Sequence, residues 1–167
     1  MRADAHKCTY TSPVSSHDGD EVRLQAWRAL LLAHNAAVRA IENDVQREGR
    51  IPLTWYDVLL ELDGAGLRGL RMQELAQRVV LSRTRVSRLV DEMVRAGLVA
   101  KKPDATDKRV VWAVVTDDGR KALRDTAPAY LRGIHRHFGS HLTEDECAVL
   151  AEALLKVAHG GERLDWR

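Results

Sequence analysis

Cysteine is scarce: Cys8 and Cys147 are the only two in 167 residues, and they lie far apart. That excludes a disulfide scaffold and a zinc site built on paired cysteines. Long apolar runs are missing too. No stretch approaches the roughly 18 apolar residues that a membrane span needs, so no membrane partner is expected. The opening Met1-Arg2-Ala3-Asp4 lacks the apolar core of a secretory signal, and a cytoplasmic location is expected. There is no internal repeat, phosphate-binding loop, nucleophile elbow or metalloprotease helix. His137 and His141 are four apart with His135 nearby, but no carboxylate or thiol completes a metal site. An enzyme needs a convergent set of reactive groups. None is visible, so the chain is expected to be no enzyme and to carry no cofactor and no metal.

Charge is present but unevenly spread. The formal net charge is only +2. Between Arg68 and Arg109, however, eleven Lys or Arg face five Asp or Glu, a local surplus of +6. A near-neutral chain with one basic segment fits a local footprint for nucleic acid.

Periodicity divides the chain. Residues 1–19 show none and read as a mobile arm. From about Asp20 to Arg47, Leu24, Trp27, Leu31, His34, Val38, Ile41 and Val45 recur at spacings of three and four, the signature of one helical face. Gly49 and Pro52 stop that helix. A second helix is expected over Thr54 to about Leu62, with Thr54 and Asp57 as a capping box, followed by a turn at Gly64, Gly66 and Gly69. A short helix spans roughly Met72 to Val79. Val80-Leu81 then turns into Ser82, an N-cap for a helix from Arg83 to about Ala96, which Gly97 ends. After Gly97 the period switches to two. Leu98–Lys102 and Arg109–Thr116 read as the strands of a hairpin around a polar turn. Helix signals resume at Asp117. Pro128 should kink or split that segment. Thr143 and Glu146 form a second capping box for a last helix with Leu150, Leu154 and Val157 inward, ending near Gly160 and Gly161.

The order helix, short turn, helix, hairpin from 72 to 116 carries the function. A helix-turn-helix projects its second helix into a groove. Leu75, Ala76, Val79, Val86, Leu89 and Val90 would form the small core between the two helices. Ser82, Arg83, Thr84, Arg85, Ser87 and Arg88 would then stand on the exposed N-terminal end, where recognition helices meet base edges. Arginine can contact guanine bidentately, and Ser or Thr can bond bases or phosphates. In the hairpin tip, Asp107, Lys108 and Arg109 are candidate minor-groove residues, because a narrow minor groove attracts arginine. In an extended chain Asp107 and Arg109 share a side, so the carboxylate could hold the guanidinium in a reaching pose. The expected partner is double-stranded DNA.

The segments LRMQELAQRVVLSRTRVSRLVDEMVRAGLV and DATDKRVVWAVVT resemble the MarR (multiple antibiotic resistance regulator) family, with its wing Asp-x-Arg falling on Asp107-Lys108-Arg109. The resemblance covers about residues 20–160. It implies a mainly α fold with a small β-hairpin wing, a winged helix-turn-helix whose N- and C-terminal helices form a dimerisation lobe. The corresponding divisions are a mobile arm (1–19), a dimerisation helix (20–50), a DNA-binding lobe (51–116), C-terminal dimerisation helices (117–161) and a tail (162–167). It further implies a homodimer that represses from a pseudo-palindromic operator and is released by a small aromatic or phenolic effector. Candidate effector-binding residues are Trp27, His34, Trp55, Tyr56 and Asp57. The alternative is a thiol-redox regulator of the same fold using Cys8, Cys147 or both. Against it, Glu144, Asp145 and Glu146 beside Cys147 disfavour a thiolate.

Overall fold

A computed structural model of the chain describes residues 18–79, 83–104, 106, 107 and 109–158. Six α-helices and three strands are described, in the order α1 (Asp18–Arg47), α2 (Leu53–Gly64), β1 (Leu70–Arg71), α3 (Met72–Arg78), α4 (Arg83–Arg95), β2 (Val99–Pro103), β3 (Val111–Val115), α5 (Asp117–His137) and α6 (Glu144–Ala158). The chain divides into two units, 1–36 and 37–167. The described part of the first is one helical segment. Its Leu24, Trp27 and Leu31 are exposed in the single chain, although their spacing marks an apolar face.

The second unit holds the core. Val58, Leu59 and Leu62 of α2, Leu75 of α3, and Val86, Val90 and Met93 of α4 are fully buried together with Ala113 of β3. The sheet is antiparallel in the order β1-β3-β2, with Leu70 opposite Ala113 and Val99 opposite Val115. Strand β1 was not legible in the glycine-rich turn before it. It exists because Gly69 has φ +71°, and a Cβ there would lie 2.1 Å from the Ala113 carbonyl oxygen. Only glycine lets the backbones approach so closely in that conformation.

A smaller apolar cluster joins Ile41 and Val45 of α1 to Leu53 and Ala129. Gly133 gives α5 room against Ile41, whose Cγ2 would be 3.0 Å from an added Cβ. Beside this cluster Asp44, 9% exposed, accepts hydrogen bonds from Arg47, from Arg136 at 3.1 Å and from His137 Nε2 at 2.8 Å. A buried carboxylate is tolerated only when so satisfied. His137 is thereby engaged with Asp44, a carboxylate too distant in sequence for spacing to reveal.

Three local expectations are corrected. Thr54 does not cap α2. The helix begins at Leu53, whose amide donates to the Glu42 carboxylate of α1 at 3.0 Å, so a tertiary contact replaces the local box. Pro128 does not split α5, which is continuous from Asp117 to His137. The carbonyl deprived of its donor belongs to Arg124, on the exposed side, where water can satisfy it. The capping box of Thr143 and Glu146 does form, with the Thr143 amide donating to Glu146 at 2.8 Å and the Glu146 amide to Thr143 at 3.3 Å. Yet the helix it starts buries no residue, and Val157, expected inward, is exposed in the single chain.

The hydrogen bond from His137, opposed by desolvation and aided by the charges of Arg47, His137 and Arg136, holds the Asp44 carboxyl below its ordinary value. Its contribution to stability is therefore complete above the ordinary carboxylate range and is lost as pH falls through the lowered folded value. Asp44→Asn should lower the melting temperature at neutral pH by several degrees, and the gap to wild type should narrow below pH of about 4, measured by circular dichroism melts across pH.

Candidate nucleic-acid interface

Helix α4 is divided lengthwise. Val86, Val90 and Met93 are fully buried, with Leu89 half-buried beside them. Thr84, Arg85 and Arg88 are exposed and Ser87 is half-buried. The helix ends in a Schellman arrangement. Gly97, at φ +77°, donates to Val94 O at 3.0 Å, and Leu98 donates to Met93 O at 2.9 Å. Lys101 of β2 reaches Asp91 at 2.6 Å and ties the helix to the sheet. The basic end is thus displayed by a helix anchored along its other side and at its C-terminus. The N-cap expected at Ser82 and the turn before it lie outside the described residues, as does the side chain of Arg83.

The wing is organised by Asp104, which was not among the expected contact residues. Asp104 Oδ1 accepts from the Thr106 amide at 2.9 Å, the Thr106 hydroxyl at 2.7 Å and the Asp107 amide at 3.2 Å, while Oδ2 accepts from Trp112 Nε1 at 2.9 Å. The Thr106 amide is the main cause that drives the Asp104 carboxyl far below its ordinary value, helped by Trp112, so it stays ionised across the physiological range. The Asp-x-Thr-Asp spacing was a usable signal, since such side chains bond their own backbone two residues on. Backbone bonds close the loop, from Asp104 N to Val110 O and from Val110 N to Asp107 O, each 2.9 Å.

Asp107 and Arg109 interact differently from the expectation. The carboxylate accepts the Arg109 backbone amide at 2.9 Å, and among the described residues the two side chains form no ion pair. A turn at this point brings the amide, not the guanidinium, to the carboxylate. Arg109 remains exposed. Lys108 lies outside the described residues. A cleft of about 420 Å³ separates the wing from the helices, lined by Met72 and Gln73 at the start of α3, Ser87 of α4 and Arg109 to Val111, with Arg71 at its edge. Two of the expected contact residues, Ser87 and Arg109, therefore share one concave surface.

The expected effector residues are less united. Trp27 and His34, both exposed, belong to the N-terminal unit, and Trp55, Tyr56 and Asp57 to the other. Tyr56 is buried, its ring 4.7 Å from that of Tyr130. Desolvation, then the charges of Glu61 and Glu42, push the Asp57 carboxyl up. Cys147 is a half-buried free thiol on α6, and Cys8 lies outside the described residues. Among those residues no helix is long and apolar enough to cross a membrane.

An anchored helix with a basic outer face, a preceding short helix and a three-stranded sheet ending in a wing define a winged helix-turn-helix protein of the DNA-binding class. The sequence profile of the MarR family matches residues 51–110. The uncharacterised HTH-type transcriptional regulator YkoM of Bacillus subtilis is 31% identical over 97 residues, a match spanning 58% of this chain and 62% of that relative. Among solved structures, the MarR family regulator Sco3205 of Streptomyces coelicolor, in complex with DNA, is 29% identical with a TM-score of 0.75, over 84% of this chain and 91% of that one. AbsC, a MarR family regulator of the same organism, is 27% identical with a TM-score of 0.73, over 90% and 97%. The chain is thus similar to MarR family proteins in profile over residues 51–110 and in fold, and the relatives named are transcriptional regulators.

Removing the Asp104 carboxylate should loosen the wing without unfolding the core. In Asp104→Ala, amide hydrogen exchange at Thr106 and Asp107 should accelerate at least about tenfold, since both amides lose their charged acceptor. Exchange at Val86 and Val90 should stay at the wild-type rate.

Proposed function

We propose that the chain is a sequence-specific double-stranded DNA-binding repressor, acting as a homodimer on a pseudo-palindromic operator and released by a small aromatic or phenolic effector. The observation that carries the reading is the exposed Thr84, Arg85 and Arg88 face of α4, backed by fully buried valines and flanked by Ser87 and Arg109 on one cleft. Arg85 and Arg88 are the residues for base edges in the major groove. Ser82, Arg83, Thr84 and Ser87 are assigned to bases or phosphates beside them. Arg109, with Asp107 and Lys108, serves the neighbouring minor groove.

Dimerisation is supported by apolar side chains left exposed in one chain: Leu24, Trp27 and Leu31 on α1, and Val149 and Val157 on α6. Patches of this kind are uncommon on monomers. Residues 20–50 and 117–161 are accordingly assigned to the dimer lobe and 51–116 to the DNA-binding lobe. Twofold symmetry sets half-sites about one helical turn apart. For the effector, the half-buried Trp55 offers an aromatic surface. The exposed Asp57 carboxylate on the same helix offers an acceptor for a phenolic hydroxyl. Release requires that the ligand prefer the arrangement with weaker DNA affinity. Binding chromosomal DNA fits a cytoplasmic protein.

Duplexes enriched from a random library by the purified chain should be pseudo-palindromic. Arg85→Ala and Arg88→Ala should each lower discrimination between the enriched and a scrambled duplex by roughly 10- to 100-fold, the range for removing one bidentate pair with a base. Arg109→Ala should weaken binding with a smaller loss of discrimination. Unchanged affinity in all three at one fixed salt concentration, or a monomer by light scattering, would refute the reading. A small phenol or aromatic acid that raises the melting temperature of the wild-type chain by mass action should do so less in Trp55→Ala.

A further inference from the structure

On the outward face of the sheet, Trp112 stands between two cations. Arg71 is its direct Cα partner on β1 and Lys102 its partner on β2, so the three side chains emerge on the same face. The Arg71 guanidinium carbon lies 5.1 Å from the indole centroid, and that of Arg68, from the turn before β1, lies 4.8 Å away. Both arginines are exposed, and among the described residues neither forms an ion pair. The neighbouring acidic groups are otherwise engaged. Asp104 holds the wing turn and the indole N–H, and Glu74 accepts the Arg71 backbone amide at 3.1 Å.

Two guanidinium groups gathered on one ring repel each other. The ring attracts both through its quadrupole, and the Trp112 N–H donated to the Asp104 carboxylate increases electron density in the indole. An anion placed between them would relieve that repulsion. The fork geometry of guanidinium suits phosphate. The platform shares strand β3 with the base of the wing, and Arg71 also edges the cleft that holds Ser87 and Arg109. Charge and continuity with that surface both favour the duplex backbone.

We propose that Trp112 is a positioning residue that aligns Arg68 and Arg71 to clamp a backbone phosphate of duplex DNA beside the wing. The inference rests on the DNA-binding reading above. It gives Trp112 a part in affinity without base contact, and makes the Asp104 hydrogen bonds a link between the wing turn and the clamp. Arg68 and Arg71 add phosphate contacts that carry no sequence information of their own.

The test is the salt dependence of binding to a fluorescein-labelled, mixed-sequence duplex of about 30 base pairs, by anisotropy of the full chain. The double variant Arg68→Ala/Arg71→Ala should flatten the slope of log K against log salt by about 0.9 for each phosphate that is no longer neutralised. Trp112→Leu, which keeps both arginines but removes the ring, should flatten it similarly. Trp112→Phe, which keeps an aromatic face, should retain most of the wild-type slope. Melting curves of the two Trp112 variants separate this effect from loss of fold. A wild-type slope in the double arginine variant overturns the clamp, as does equal flattening in Trp112→Leu and Trp112→Phe at matched melting temperature. If Arg85→Ala still loses discrimination in that case, only the clamp fails. Absence of salt-dependent duplex binding in the wild-type chain would overturn both.

Discussion

Burial of one side of α4 is the constraint on which the rest of the structure depends. Val86, Val90 and Met93 are fully enclosed with Leu75 of α3, residues of α2, and Ala113 of β3. Each such side chain contributes on the order of 1.5–3 kcal/mol when removed from water. At 3.6 residues per turn, enclosing these positions leaves Thr84, Arg85 and Arg88 no place but the surface. The display of cations is therefore a consequence of packing. Helices α2 and α3 and the sheet supply the other side of the same core.

Two further contacts extend that core into a platform. The Schellman end at Gly97 turns the chain from α4 directly into β2, and Lys101 pins the first strand of the hairpin back onto the helix through Asp91. Gly69 brings β1 against β3 at a distance no other residue could tolerate. Between these fixed strands the wing is held by one ionised carboxylate, Asp104, serving three donors in the turn and one on the sheet. Away from the interface, Asp44 joins α1 to α5, and Glu42 starts α2 from α1. Charged groups thus orient elements at their margins, while apolar packing supplies the bulk of the stability.

Elements governed by neighbours in sequence were legible before the structure. The face of α4, its stop at Gly97, the capping box at Thr143 and the change of period into the hairpin are all signals within a few residues. The errors arose where a distant group competes with a local one. Thr54 lost the start of α2 to Glu42, eleven residues from the amide it bonds. Pro128 stayed inside α5 because packing on both sides of it outweighs one missing hydrogen bond on the wet face. Strand β1 is two residues long and exists only by pairing with β3. Arg68 and Arg71 escaped notice beside Trp112 for the same reason: the ring is more than 40 positions away, and only strand register assembles the three.

By itself the sequence determined which residues could be buried, where helices stop and which helix carries the basic face. Hydrophobic period and glycine position are local properties, and packing respects them. The tertiary structure alone decided which acidic group satisfies which distant donor: Asp44 for His137 and Asp104 for Trp112. Hydrogen bonds depend on distances of about 3 Å and on direction. Such placement does not exist until the strands and helices have come together.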